Sequence, residues 1–467
     1  MQINSSLLPI MNEKNRILGP KSYVAMWWGD AVMVGSFMLG SSLIPPFGQL
    51  NLTQAFLALI LANVLAALLF ALNGKVGWKH GIPMVVQLRS SFGPIGAKVP
   101  SLMRAVPALF WYGVQSWLGA MALNQIFTDI IGFNNVWVWF FAFQAFQIYL
   151  SAKGIKSIKW IEIVGAIVIM LGVIYLIFLF LDTFGFEVQE TTNIDGSWGI
   201  PFWLAMAVLI GQFSALLLNV SDYTRYFPRK SSGKTFIGSH IVGIVPPMIL
   251  LPFVGILGAA AVGIWNPVDI ISRHISNLFA SIVILLFIAI AQITTNLVAN
   301  IMPPVLVAME LFKISWEKAC VIVGVLGVFT CPWWIMTDSA FLMFISVVSA
   351  FLGPIFAVMV ADFYVIHKGN YNVAKLYEVE NLFKAFKGWN PAAFIAIGVG
   401  TVFSFINVDL SWLLGIIPAA VVYVVVMKVW VVKHERYVSE GMEQSFKNTN
   451  HLDLEIQEDV LQKTNTL

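Results

Sequence analysis

The chain has 467 residues, of which 59% are AVILMFWYC and 11% are charged, and that apolar excess is more than the core of a soluble domain can hide. Its 27 Lys and Arg against 24 Asp and Glu leave no basic footprint for a nucleic-acid partner. Disorder, collagen and a disulfide scaffold are excluded by the same composition, and Cys320 and Cys331, both in one apolar segment, read as buried thiols rather than a bridge or a metal site.

Apolar stretches long enough to cross a hydrocarbon core of about 30 Å as helices recur along the chain. In order they run Tyr23 to Ile44, Thr53 to Leu72, Val106 to Phe127, Val136 to Leu150, Ile161 to Leu181, Phe202 to Val220 and Ile241 to Ile264. Leu278 to Ile301, Val321 to Ile335, Ala340 to Val365, Ala392 to Ile406 and Leu413 to Met427 follow. The pattern predicts an all-α integral membrane protein of twelve transmembrane helices. Membrane lipid is therefore its surrounding partner, and no obligate protein partner is evident.

Cytoplasmic loops collect Lys and Arg. With the N-terminus inside, every one of the 27 basic residues except Arg273 falls on the inner side, while Asp182, Glu187, Glu190 and Asp195 gather in an outer loop. An even span count then places both termini in the cytoplasm of a multi-pass protein of the plasma membrane. The expected organisation is a cytoplasmic tail over 1–22, a core of ten spans over 23–365, a cytoplasmic loop over 366–391, two further spans over 392–432, and a cytoplasmic tail over 433–467. No cleavable signal is expected, because the first apolar run is full length. The acidic cluster of Asp453, Glu455, Glu458 and Asp459 reads as a solvated tail.

Polar groups are costly inside a bilayer, so their positions are informative. The first span holds Trp27-Trp28-Gly29-Asp30 followed by Gly35-Ser36 and Gly40-Ser41-Ser42, weak helix-forming sequence around one acid. The sixth holds Gly211-Gln212-Phe213-Ser214 and closes on Asn219-Val220-Ser221-Asp222. The sixth span comes five crossings after the first, an odd number, so the two enter from opposite sides, the parity of an inverted repeat with interrupted helices near the midplane. In the third span Trp111 and Gln115 share a helix face, and in the eighth Gln292, Asn296 and Asn300 form a stripe. Interhelical hydrogen bonding is the competing explanation for each such residue. Trp137, Trp139, Trp198, Trp333, Trp334 and Trp412 lie near span ends, as interfacial anchors do. For Asp30 two roles compete, ion coupling or a structural pair with a basic residue such as Arg104.

These residues resemble the nucleobase-cation-symport-1 family, the permeases for uracil, cytosine, purines, allantoin and hydantoins. The resemblance is carried by Trp111-Tyr112-Gly113-Val114-Gln115, by Leu218 to Tyr226, by Thr294 to Asn300, by Ala361 to Ile366 and by Lys387-Gly388-Trp389-Asn390. It implies a five-plus-five inverted-repeat transporter core with two additional C-terminal helices, and cation-coupled import of a small heterocycle such as allantoin, uracil or hydantoin. A flat ring with alternating N–H and C=O needs a surface to stack on and a carboxamide that both donates and accepts, functions that Trp111 and Gln115 supply. By resemblance Phe213 completes a sandwich and Asn300 reads the other ring edge, with Met33, Ser214 and Asn296 in the same lining. Many allantoin and hydantoin carriers have Trp in place of Phe213 and a polar residue in place of Met33, so a cytosine or purine permease coupled to protons stands as the alternative. For the ion, the resemblance points to the carbonyls of Gly29, Val32 and Ala291 and the hydroxyls of Thr294 and Thr295 as a sodium site, with Asp30 as a proton-coupling candidate. Back-bonding of both hydroxyls to carbonyls one turn earlier is the structural alternative. No cofactor is expected beyond the co-transported Na+ or H+. The six histidines are scattered and no HExxH or GxSxG occurs, so no enzyme is expected. A channel and an amino-acid carrier of similar fold are the remote alternatives.

Overall fold

The computed structural model describes residues 7–31, 34–154, 167, 170–182, 194–264, 266–378, 382–383 and 386–431, with no β-strand among them. Five helical runs among these residues are long and apolar enough to cross a membrane: Leu52–His80, Gly233–Val262, Leu278–Phe312, Ser339–Ile366 and Val408–Val431. The first apolar stretch carries α1 (Pro20–Ala31) and α2 (Val34–Ser41). It is followed by α3 (Leu52–His80), the short α4 (Met84–Phe92), α5 (Lys98–Ile131), α6 (Val136–Ala152) and α7 (Met170–Asp182). Of the expected fifth span, only Ile167 and the residues from Met170 on are described, and Val32, Met33 and the acidic C-terminal cluster lie outside the described residues.

The sixth stretch is interrupted as its sequence suggested. It splits into α8 (Ile200–Gly211), α9 (Ser214–Asn219) and α10 (Ser221–Thr224), with Gln212 and Phe213 in the gap. The seventh is α11 (Gly233–Val262), and α12 (Pro267–His274) lies between it and the eighth stretch. There α13 (Leu278–Thr295) widens into a π-helical segment, Asn296–Ile301, and continues as α14 (Met302–Phe312). This helix ends at Phe312 rather than at the expected Ile301, and outside donors explain how it passes two prolines. Pro303 and Pro304 have no N–H, which leaves the carbonyls four and five residues earlier without a helical donor. The Tyr223 hydroxyl donates to Val298 O at 3.0 Å and the Arg104 guanidinium to Ala299 O at 3.1 Å, so the chain stays helical with outside donors.

The ninth stretch departs from expectation. Its helix α15 spans Trp316–Val328, and Cys331 adopts φ 50° before the four-residue α16 (Pro332–Ile335). The residue before a proline disfavours the α region, so no helix runs continuously to Ile335. Cys320 is buried but Cys331 is only half-buried, and both thiols are free. The tenth stretch is α17 (Asp338–Ala361), extended by a π-helical turn over Asp362–Ile366. A short α18 (Val373–Tyr377) interrupts the expected loop, and α19 (Pro391–Ser404) and α20 (Ser411–Val426) pack together against α17. Trp412, expected at an interface, is instead buried beside Gly353 and Phe356.

Two contacts position the site. Helices α2 and α11 touch backbone to backbone: a Cβ on Gly40 would overlap the Pro252 carbonyl, and one on Gly255 the Phe37 carbonyl. Ser41 Oγ also donates to Gly255 O at 3.0 Å. Gly40→Ala is therefore expected to cost about 1–3 kcal/mol, read as a lower melting temperature in detergent. Gly238→Ala, where the added carbon meets open space, should show no such loss. At the other end, residues 7–19 do not stand free of the bundle. Arg16, 5% exposed, donates to the carbonyls of Trp78 (2.7 Å), Phe227 (2.9 Å) and Ile10 (3.0 Å). Burial lowers its pKa to about 10, so it is charged at neutral pH. Arg89 pairs with Glu310 at 2.8 Å and donates to Leu376 O, joining α4, α14 and α18 at the same end.

Candidate functional site

The sixth-span closing motif builds the frame. Asn219 Oδ1 accepts from Arg104 Nε at 3.0 Å, its amide donates to the Tyr223 hydroxyl, and Asp222 Oδ1 accepts from the Met84 N–H that opens α4. Arg104 thus joins α5 to α9 and to the π-helical segment of the eighth stretch. Of Asp30 only the backbone, in α1, is described.

Four of the five residues expected around a cation come together where α1 meets α13. Thr294 Oγ1 lies 3.2 Å from Gly29 O and 3.0 Å from Ala291 O, and Thr295 Oγ1 lies 3.0 Å from Ala291 O. The contacts to Ala291 are back-bonds within one helix. The contact to Gly29 is different, because it spans two helices. It gathers two carbonyls and two hydroxyls, hard neutral oxygens of the kind that suits an alkali cation. Val32 lies outside the described residues.

A second layer holds the aromatic and amide groups. Trp111 packs edge-on to Phe341 and Phe344, with ring centroids 5.6 Å away in both cases, and a Cβ on Gly35 would lie 2.9 Å from its indole. Glycine at position 35 is what lets α2 approach the ring. Ser36, the next residue, donates to Gln212 Oε1 at 3.2 Å, so α2 holds Trp111 and the break of the sixth stretch at one level. Phe213 stands edge-on to Phe70 at 5.6 Å, and no ring contact joins it to Trp111 among the described residues. Both residues are buried, as is Gln115.

The polar stripe of the eighth stretch does not act as three equal side chains. Asn296 donates to Tyr112 O and Ser116 Oγ, each at 3.2 Å, and accepts from Asn300 Nδ2 at 2.8 Å. Ser116 in turn receives Gln147 Nε2 at 2.9 Å. Asn296 is thereby committed to holding α13 on α5 and to orienting Asn300. The π-helical widening that starts at Asn296 also changes the register on which the stripe was drawn. Gln292 donates to Ile288 O, within its own helix. Ser214 donates to Gly211 O and faces Ser349 Oγ at 3.2 Å, so its hydroxyl fastens the break to α17.

Ser116, Gln147 and Ser349 did not stand out as site-building residues in the sequence, whereas Ser36 lay in the polar cluster of the first span. Gln147 had a signal, since it lies three residues after Gln144 in an otherwise apolar aromatic stretch. Ser116 and Ser349 had none, because a hydroxyl that satisfies itself on its own helix is common in membrane helices.

Residues 9–432 match the profile of a family described as permease for cytosine/purines, uracil, thiamine, allantoin. The hydantoin permease of Microbacterium maritypicum is 26% identical over 440 residues, covering 91% of this chain and 89% of that protein. The allantoin permease of Bacillus subtilis strain 168 is 28% identical over 474 residues, covering 91% and 93%. In structure the chain is similar to Mhp1, a nucleobase-cation-symport-1 family transporter, in a closed conformation with bromovinylhydantoin bound. That likeness has a TM-score of 0.85 and 25% identity, covering 95% of this chain and 98% of Mhp1.

Proposed function

The chain belongs to the family of permeases for cytosine/purines, uracil, thiamine and allantoin, and from that premise we propose that it is a secondary active symporter. It imports a neutral heterocycle, such as a hydantoin, allantoin or uracil, across the plasma membrane with a cation, through twelve spans with both termini in the cytoplasm. The ten-span core is a five-plus-five inverted repeat followed by two additional helices. Support for the repeat comes from the parity of the first and sixth stretches and from the gap at Gln212 and Phe213. Charge supports the orientation, since the basic residues gather on one side of the spans.

The single observation that carries the ion-coupled reading is the Thr294 hydroxyl, within 3.2 Å of Gly29 O on another helix. An ion held there ties α1 to α13, and α2, next in the chain after α1, sets Gly35 against Trp111 and Ser36 against Gln212. Ion binding and ring binding then share moving parts, which is the physical basis of coupling. Sodium is the proposed ion, because the cage offers neutral oxygens; Trp111 and Phe213 stack on the ring, and Gln115 and Asn300 read its edges.

Uptake of labelled uracil, cytosine, hypoxanthine, allantoin and hydantoin in a transporter-deficient host, with sodium or choline outside, tests this reading. Saturable, sodium-stimulated uptake of at least one ring is expected, and no uptake of any of them would overturn it. Within that panel, Asn300→Ala is expected to reorder the substrates by about tenfold in competition, since it deletes one polar contact and leaves stacking intact. An unchanged ranking would remove Asn300 from the ring edge.

A further inference from the structure

Gln212 sits in the gap of the sixth stretch, and neither the cation cage nor the stacking pair uses it. We propose that Gln212 is a specificity-determining carboxamide that reads an adjacent N–H and C=O on the substrate ring, held in orientation by Ser36; the inference rests on the heterocycle reading above. Position is the first argument. Gly35 lies against the Trp111 indole and Ser36 bonds Gln212, so consecutive residues of α2 set the ring platform and this carboxamide at one level.

Valence is the second argument. A carboxamide has two N–H donors and an oxygen with two lone pairs. Gln212 gives one N–H to Leu209 O at 2.9 Å and one lone pair to the Ser36 hydroxyl at 3.2 Å. Among the described residues one donor and one acceptor remain, the pair of functions that a ring lactam or urea edge needs. The anchors at both ends also oppose a flip of the amide, so the order of donor and acceptor is set by the protein. Charge is the third argument: Ser36, Trp111, Gln115, Gln212, Phe213 and Asn300 carry no ionised side chain, which suits a neutral ring. At 6% exposure Gln212 is also more open than Phe213 at 1%.

The test compares uracil, hypoxanthine and hydantoin, each beside its singly N-methylated analogues, as competitors of uptake. For at least one ring, the wild-type protein is expected to discriminate against methylation at one nitrogen by about tenfold or more. Gln212→Met, similar in length but without the amide, is expected to bring that one ratio to within about twofold, with the other methyl positions unchanged. Ser36→Ala leaves Gln212 in place but releases its orientation, and should shrink the same ratio by about threefold. Unchanged ratios in a Gln212→Met protein that still transports would overturn the proposal. Where Gln212→Met does not reach the membrane, an unchanged ratio in Ser36→Ala overturns it instead. Wild-type protein that none of the rings inhibits would strike the heterocycle reading itself, a separate outcome.

Discussion

Trp111→Ala is expected to lower substrate affinity by about 5- to 150-fold while the protein still inserts and folds. Stacking of a flat base on an aromatic ring is worth roughly 1–3 kcal/mol, and the indole is the ring that α2 approaches through Gly35. Phe341 and Phe344 both stand edge-on to it and support its position. The ring is buried, so its removal also costs stability, but it lies away from the backbone contact of α2 with α11 at Gly40 and Gly255, which stays in place. The check pairs uptake kinetics with surface expression and with the rise in melting temperature that each ring induces in detergent. Normal affinity in a well-expressed Trp111→Ala protein would remove the stacking site from this layer.

Thr294→Ala is expected to raise the sodium concentration for half-maximal uptake by about tenfold, equivalent to about 1.4 kcal/mol. Thr294 Oγ1 is the atom that faces both Gly29 O and Ala291 O, so its loss opens the cage between the two helices. Thr295→Ala should act in the same direction and less strongly, because its contact is to Ala291 O one turn earlier. The coupling must also be reciprocal: sodium should tighten ring binding by the same factor by which the ring tightens sodium binding. Uptake that is indifferent to choline replacement and collapses with a protonophore would overturn sodium in favour of proton coupling.

Much of the molecule was legible along the chain, and the reasons are local. Lipid leaves a simple mark on sequence, since each crossing needs a long apolar run and each inner loop collects Lys and Arg. A buried amide or acid within such a run is costly enough to stand out, which is why Gln115, Gln212 and Asn296 were visible; Thr294 was reached through the family resemblance. The gap at Gln212 and Phe213 was legible too, because Gly211, Gln212 and Ser214 within four residues are poor material for a membrane helix.

Tertiary structure decided which of these groups act and on what. The Asn296 amide points at Tyr112 O and Ser116 Oγ, a partnership set by α5 packing on the eighth stretch and written in neither segment alone. Ser214 likewise belongs to Ser349, 135 positions away along the chain. The carbonyls that Pro303 and Pro304 leave over are taken by Tyr223 and Arg104, from two other helices. Apolar runs and charge asymmetry report the solvent that each residue meets, and that is a local property. The partner of a hydrogen bond between distant helices depends on crossing angle and register, which are fixed only when the backbones close on one another, as α2 and α11 do at Gly40 and Gly255.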